Sequence, residues 1–248
     1  MNYPQQMRQI LEFASGMIFP IRCLECSRFS GFYKRDYICR KCLNGIAINR
    51  KLKCIGCEVE TGCGKTCSGC KNINSVDQFF VLLDYKNQLA IKIIKCFKYR
   101  FVREIVNPLS VLIKKYLIML AREKKCSLAV KNPVIVPVPL HPRRLNWRGF
   151  NQSELIAQSL ADILQCQVEP NILRRIRESR PQAEIKDKEE RLKKPLDAFE
   201  VASPAPVKNR AIVLVDDVAT TGATLNECAR ILKENGAAEI IGFVVAKG

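Results

Sequence analysis

The run VLVDDVATTGAT, residues 213–224, carries the most specific chemistry in this chain. Residues 211–215 are unbroken apolar and read as a buried parallel strand. Asp216 and Asp217 follow at its C-terminal end, where open α/β sheets bind ligands. A small hydroxyl-bearing loop comes next: Ala219, Thr220, Thr221, Gly222, Ala223 and Thr224. A helix then places Leu225, Cys228, Ala229 and Leu232 on one face and ends near Gly236. Backbone N–H groups at a helix start, joined by threonine hydroxyls, suit a phosphate dianion, and Gly222 permits close approach. Like charge keeps Asp216 and Asp217 off that phosphate, so they suit ribose hydroxyls or, directly, a Mg2+ ion. Strand, acidic pair and cradle together specify a ribose 5-phosphate group, such as that of phosphoribosyl pyrophosphate.

The second chemical signal is thiol-based. Of 13 cysteines, nine lie between Cys23 and Cys70. Cys23, Cys26, Cys39 and Cys42 form two CxxC pairs, the four thiolates that a tetrahedral structural zinc requires. Cys54, Cys57, Cys67 and Cys70 repeat the logic with a shorter gap. Cys63 is one too many: it could replace Cys67 or stay free, and the tandem pairs could interleave between ions. Closed all-cysteine sites leave no open position for catalysis, so one or two structural zinc ions are expected. Cys96, Cys126, Cys166 and Cys228 show no pairing pattern and read as small core residues.

The whole chain has 248 residues, 48% hydrophobic and 26% charged, with a formal charge of +17. This is the balance of a soluble globular protein with one substantial domain and a small appendage. No apolar run approaches the ~20 residues of a membrane span. Glu12 interrupts the apolar N-terminal stretch, which does not read as a signal peptide. A cytoplasmic location without membrane insertion is the expectation, and a reducing cytosol favours metal ligation over disulfides. The charge is concentrated: residues 86–125 hold 11 basic and two acidic residues, whereas residues 201–248 balance at five and five. Within the basic stretch Lys92, Lys95 and Lys98 step along one helical face, a candidate nucleic-acid contact. His141 is the one histidine and sits in a proline-flanked loop, which disfavours a serine–histidine hydrolase. A Gly-x4-Gly-Lys-Ser/Thr loop is missing from the sequence, so the chain is not itself an ATP motor.

The elements that must position these groups are legible in outline. Residues 1–75 form an N-terminal segment and cysteine-rich module, with residues 71–76 as a polar link to a domain over 76–248. QFFVLLDY, residues 78–85, reads as a strand, and apolar residues at 90, 93, 94 and 97 give a helix after it. Asn107 before Pro108 reads as the N-cap of a helix running to about Lys125. VIVPVP, residues 134–139, is an apolar strand ending in a proline turn. A cationic loop with His141, Arg143, Arg144 and Arg148 follows, then a helix from about Asn151 with Ile156, Leu160 and Ile163 buried. A strand giving way to such a loop and a helix start is a plausible anion site. Residues 174–194 mix basic and acidic residues around Pro181 and read as a mobile, solvated loop.

With these motifs in place the chain resembles the type I phosphoribosyltransferases. More narrowly it resembles the ComF family, linked to DNA uptake in naturally competent bacteria. The resemblance spans nearly the whole chain. It rests on the cysteine-rich start, Phe19-Pro20, Lys98-Tyr99, Val136-Pro137-Val138-Pro139-Leu140, Arg148-Gly149-Phe150-Asn151-Gln152, Pro181-Gln182, Arg191 and Phe199. It implies a twisted, mainly parallel sheet with flanking helices, preceded by a small zinc-ribbon domain. It also implies that Leu140, His141, Arg143 and Arg144 face pyrophosphate, Asp216 and Asp217 the ribose, and residues 219–224 the 5-phosphate, with Mg2+ bridging pyrophosphate and ribose. The loop over residues 180–191 would close above them. Lys194 and Asp197 stand where the family usually has asparagine and glycine, changes that bear on turnover. Two functions compete. One is a competence protein that handles incoming single-stranded DNA beside a separate ATP-driven import helicase. The alternative is an active phosphoribosyltransferase of nucleobase or nucleotide metabolism.

Overall fold

The computed structural model describes residues 21–29, 37–99, 102–123, 126, 128, 130, 133–177, 198–204 and 207–248. Its centre is a five-stranded parallel sheet in the order β1-β7-β6-β2-β3. The strands are β1 (Gln78–Asp84), β2 (Val134–Pro137), β3 (Gln167–Val168), β6 (Ala211–Ala219) and β7 (Glu239–Lys247). A small antiparallel pair, β4 (Leu173–Arg175) and β5 (Phe199–Val201), stands beside it.

The strands read as continuous apolar runs because both faces are covered. Alternate residues divide between two cores. Phe80, Leu82, Ile135, Val213, Val215, Ile241 and Phe243 point to one face. Phe79, Val81, Val134, Val136, Ile212, Leu214, Ile240 and Val244 point to the other. Helices α2 (Gln88–Tyr99), α3 (Val106–Glu123) and α5 (Gln152–Leu164) cover the first face, and α6 (Ala223–Glu234) covers the second. Each large apolar side chain buried this way contributes about 1.5–3 kcal/mol.

The chain leaves β2 toward β3 on one side of the sheet and leaves β6 toward β7 on the other. Between the carboxyl ends of β2 and β6 lies the point where strand order reverses, the place where open α/β sheets bind ligands. The cationic segment and the acidic pair thus arrive at one place from residues some 70 apart in sequence.

Three local expectations are corrected. Asn107 does not cap α3: a 3-10 turn, Arg103–Ile105, runs straight into a helix beginning at Val106, so Asn107 lies inside it. The cationic segment is not a loop but a short helix, α4 (Pro142–Arg148), with proline at its start. The His141 side chain accepts from the Arg143 N–H, and Gly149 closes the helix at φ 72°. Cys126 is not an isolated core thiol, because it forms a disulfide with Cys63. That link joins residues 63 apart in sequence, which no local spacing can announce.

The cysteine-rich part carries helix α1 (Arg40–Gly45) and lies against the sheet domain rather than apart from it. Cys23, Ile38 and Leu52 join the first core, whereas Ile55 and Val76 join the second. Asp77, the first residue past the expected link, is likewise tied down. The Asp77 N–H donates to the Ile240 carbonyl (2.8 Å), and the Asp77 carboxylate accepts from the Ile240 N–H (2.7 Å) and pairs with Lys233 (2.7 Å).

Candidate ribose-phosphate site and cysteine clusters

The acidic pair sits on β6 itself, because the strand runs on to Ala219. Asp217 is 7% exposed and pairs with Lys98 Nζ at 3.1 Å. Asp216 accepts from the Ser153 hydroxyl (2.9 Å) and from the Asp217 N–H (2.8 Å). Burial and then the neighbouring Asp217 charge raise the Asp216 carboxyl to about 7, while Lys98 opposes them. A like charge beside Asp216 disfavours its ionised form, and Lys98, paired with Asp217, supplies the opposing charge. A divalent ion would relieve the same repulsion, so the donor set fits Mg2+.

Thr220, Thr221, Gly222, Ala223 and Thr224 curve from the end of β6 into α6 and, with Asp216, Val218, Ala219 and Leu225, line one depression. Gly222 is the N-cap of α6 at φ 77°, a conformation that favours glycine. The Ala223 N–H is held by Thr221 Oγ1 (3.3 Å). Backbone N–H groups at the mouth of a helix and several hydroxyls together are the donor set that an anion cradle requires.

The block Arg148-Gly149-Phe150-Asn151-Gln152 fixes the wall opposite. Asn151 caps α5 by accepting from the Ser153 N–H (3.1 Å) and donates to the Val138 carbonyl (3.1 Å). Gln152 donates to the Phe97 carbonyl (3.2 Å) and accepts from Arg148 (3.0 Å). Phe97 precedes Lys98, so this block aims Lys98 at Asp217. Burial lowers the Arg148 guanidinium and Asp217 opposes that shift, which places Arg148 in the field of the acidic pair. Arg103 completes the corner by donating to the Gly149 carbonyl (2.7 Å) and lying over the Phe150 ring. Leu140, His141 and Arg144 are half-buried and Arg143 is exposed on α4, the element that follows β2.

The row Lys92, Lys95 and Lys98 is divided in three dimensions. Lys92 pairs with Glu25 (2.9 Å), Lys95 is exposed and Lys98 belongs to the acidic pair. Helical spacing grouped the three but could not show that α2 ends against β6. Ser153 was missed for the same reason, since nothing local ties it to Asp216.

The eight cysteines gather as two separate sets. The sulfurs of Cys23, Cys26, Cys39 and Cys42 lie within 4.8 Å of one another, and so do those of Cys54, Cys57, Cys67 and Cys70. Each set contains a turn of one shared geometry. Cys23 donates to the Arg28 carbonyl (2.9 Å) and accepts from the Ser27 N–H (2.9 Å). Cys54 does the same with Val59 (2.9 Å) and Glu58 (3.1 Å). Ser27 and Glu58 have φ of 58° and 61°. The Cys39 N–H donates to Cys23 Sγ (3.3 Å), and the Cys67 N–H to Cys54 Sγ (3.5 Å).

These sulfurs fit a soft dication. Burial pushes the Cys23 and Cys54 thiols up, but backbone N–H groups outweigh it and bring both down to about 6. Burial and the neighbouring thiols push Cys42 up to about 12, and neighbouring thiols with burial do the same to Cys70. A first thiolate thus resists a second, a penalty that a bound zinc ion reverses. Cys63 stands outside both sets in its disulfide. The described residues include no helix long and apolar enough to cross a membrane.

A parallel sheet whose reversal point joins an acidic pair to a threonine-glycine cradle defines the phosphoribosyltransferase fold class. The phosphoribosyl transferase domain family matches residues 151–248, from the cap of α5 to the end of β7. Over 224 residues the chain is 31% identical to competence protein F of Haemophilus influenzae, covering 83% of this chain and 94% of that protein. It is 42% identical over 108 residues to the DNA utilization protein YhgH of Escherichia coli, 43% of this chain and 45% of that one. It is 36% identical over 118 residues to competence protein ComFC of Bacillus subtilis, 47% and 45% of the two chains. The protein belongs to the ComF family of competence proteins.

Proposed function

We propose that this ComF protein binds phosphoribosyl pyrophosphate with Mg2+ in the crevice between β2 and β6 and handles single-stranded DNA during its uptake. The observation that supports the ligand is the continuity of β6 into α6. It presents Asp216 and Asp217 to a ribose and, a few residues on, the open backbone and hydroxyls of residues 219–224 to its 5-phosphate. Leu140, His141, Arg143 and Arg144 come from the opposite lip and meet pyrophosphate. Lys98 must exchange partners when a cation reaches Asp217, which frees its ammonium for the leaving phosphates. Mg2+ bound with the ligand would supply the charge neutralisation that pyrophosphate departure requires. Calorimetric titration of phosphoribosyl pyrophosphate with Mg2+ should show saturable binding that Asp216→Ala/Asp217→Ala abolishes. Equal heats in wild type and variant would sink the reading.

The DNA role draws on the relatives' names, competence protein F and DNA utilization protein, and on the +9 charge of residues 86–125. Binding of a single-stranded oligonucleotide should weaken steeply with salt. Lys95→Glu, which reverses the exposed charge of the row, should weaken it further, and unchanged affinity would remove α2 from the interface. A separate ATP-driven helicase then supplies the motor. The second reading, turnover on a nucleobase acceptor, is favoured by the completeness of the acidic pair and cradle. Pyrophosphate release on offering candidate acceptors tests it. The covering segment, residues 180–191, and the departures at Lys194 and Asp197 lie outside the described residues.

A further inference from the structure

The segment that carries the second cysteine set, residues 54–75, reaches the start of α6 at two points. Ile55, between the ligand pair Cys54 and Cys57, is 1% exposed. A Cβ built on Gly222 would lie 3.1 Å from Ile55 Cγ1 and 3.2 Å from Cδ1, so the cradle's backbone already rests on this side chain. One turn along α6, Asn226 is held on both sides: its Oδ1 accepts from the Ser75 N–H (2.6 Å) and its Nδ2 donates to the Ile73 carbonyl (3.1 Å). Ile73 and Asn74 are themselves bonded to the Cys70 carbonyl (3.2 and 3.1 Å). Beneath them Lys247 donates to the Ile55 carbonyl (3.2 Å) and pairs with Glu58 (3.0 Å).

Gly222 therefore rests on a residue that adjoins the candidate metal ligand Cys54, and Asn226, just past the cradle, is held by residues 73 and 75 of the segment that follows Cys70. The matching position in the first turn is Leu24, between Cys23 and Cys26. It is half-buried against the other core, and its N–H donates to Tyr37.

We propose that the second cysteine turn is the floor of the phosphate cradle, with Ile55 as the positioning residue for Gly222, so that metal at Cys54, Cys57, Cys67 and Cys70 sets the cradle's affinity for a 5-phosphate. The proposal rests on the ribose 5-phosphate reading of the cradle and adds a dependence on only one of the two clusters. Four sulfur bonds to one ion fix the turn, the turn fixes Ile55, and Ile55 with Asn226 fixes the N–H groups that face the phosphate. Preorganised donors bind more tightly than donors that must first be ordered.

The test uses the full zinc-loaded chain in wild type, Ile55→Ala, Ile55→Val and the matched Leu24→Ala. Ribose 5-phosphate binding is followed by calorimetry, amide hydrogen exchange along residues 220–226 by mass spectrometry, and zinc content by atomic absorption. Ile55→Ala should weaken ribose 5-phosphate about tenfold and speed exchange across residues 222–226 at unchanged zinc content, with Ile55→Val restoring most of both. Leu24→Ala should shift neither by more than about twofold. Stripping the zinc should reproduce the exchange change of Ile55→Ala while residues 212–215 of β6 stay protected. Equal effects of Ile55→Ala and Leu24→Ala, or none from Ile55→Ala, overturn the proposal. Should wild type fail to bind ribose 5-phosphate, the ligand reading falls, and the exchange data still decide whether turn and cradle are wired. Should β6 exchange as well on stripping, Ile55→Ala alone decides.

Discussion

Residues 22–29 and 53–60 fold into the same turn and are used on opposite faces of one sheet. Both are opened and closed by an isolated antiparallel bridge, Arg22 with Phe29 and Lys53 with Glu60. The first turn joins the core of α2, α3 and α5, and the second joins the core of α6. That difference follows the site itself. Lys98 and Ser153 reach the acidic pair from the first face, while on the second Ile55 lies against Gly222 and residues 73 and 75 hold Asn226. A ligand spanning ribose and 5-phosphate would draw on both supports at once. On the proposal above the second turn serves as such a support on the α6 face, and the first turn does not.

The largest effect expected tests whether the turns are equivalent as metal sites. Cys42→Ser and Cys70→Ser should each halve the bound zinc and each lower stability by several kcal/mol, since structural zinc binding is folding free energy. Atomic absorption with urea denaturation checks both. Zinc stoichiometry unaffected by one substitution would break the symmetry on which the comparison rests.

Next in size is a contrast of two glycines with nearly the same backbone. Gly149 (φ 72°) and Gly222 (φ 77°) would both be strained by alanine, but a Cβ on Gly149 meets nothing within 4 Å, whereas one on Gly222 meets Ile55. Gly149→Ala should cost about 1 kcal/mol. Gly222→Ala should cost about 1–2 kcal/mol more, because the neighbour must yield. In a double-mutant cycle Ile55→Ala should recover that extra part and not the first, which denaturation midpoints can read. Equal costs at the two glycines would mean that Ile55 moves away freely.

The acidic pair sharpens the first-face side of the contrast through pH. Asp216 is raised from 3.8 to about 7, so the folded chain holds this proton more tightly than the unfolded chain does. Its ionisation therefore costs nothing below pH 3.8, costs more as pH rises toward 7, and costs its full amount above. Asp216→Asn keeps an oxygen for the Ser153 hydroxyl and never ionises. It should match wild type near pH 4 and exceed it by roughly 2–4 kcal/mol at pH 8, the upper figure being the full shift and the lower allowing for solvent screening of a partly exposed carboxyl. A constant difference across that range would show that Lys98 alone neutralises the pair.

How much of this was legible in the sequence depends on how local each cause is. Strands β1, β2, β6 and β7 and the loop after β6 are written in contiguous patterns, and the CxxC pairs in short spacings, whereas β3, β4 and β5, at two or three residues each, leave no period to read, and β4 runs into the stretch read as a loop. Helix α4 was hidden because PRRLNWR has no apolar stripe for a core to demand. The Cys63–Cys126 link, the turning of Lys98 toward Asp217 and the contact of Ile55 with Gly222 are products of chain crossing. Gly222 illustrates the limit: its type suggested close approach of a ligand, and the fold adds a buried side chain pressed beneath it.

The smallest effects distinguish how the two turns are held by charge. Lys92 with Glu25 fastens the first turn and Lys247 with Glu58 the second. Lys92 and Glu25 are both about 40% exposed, so solvent screens them, and Lys92→Gln should cost only about 0.2–1 kcal/mol. Lys247 is 15% exposed and also holds the Ile55 carbonyl, so Lys247→Gln should cost about 1 kcal/mol more. The Lys247 hydrogen bond and charge hold the Glu58 carboxyl below its ordinary 4.5. The stability from that pair is thus present above pH 4.5 and is lost as pH falls through the lowered value. Urea midpoints of the two variants at pH 7 should differ in that order, and the gap should narrow as pH falls through that lowered value. Raising the salt should erase the Lys92 effect and leave most of the Lys247 effect, because a partly buried pair with a backbone partner is screened least. The reverse order would place the firmer attachment at the first turn and remove the electrostatic reason for tying the second one to the cradle.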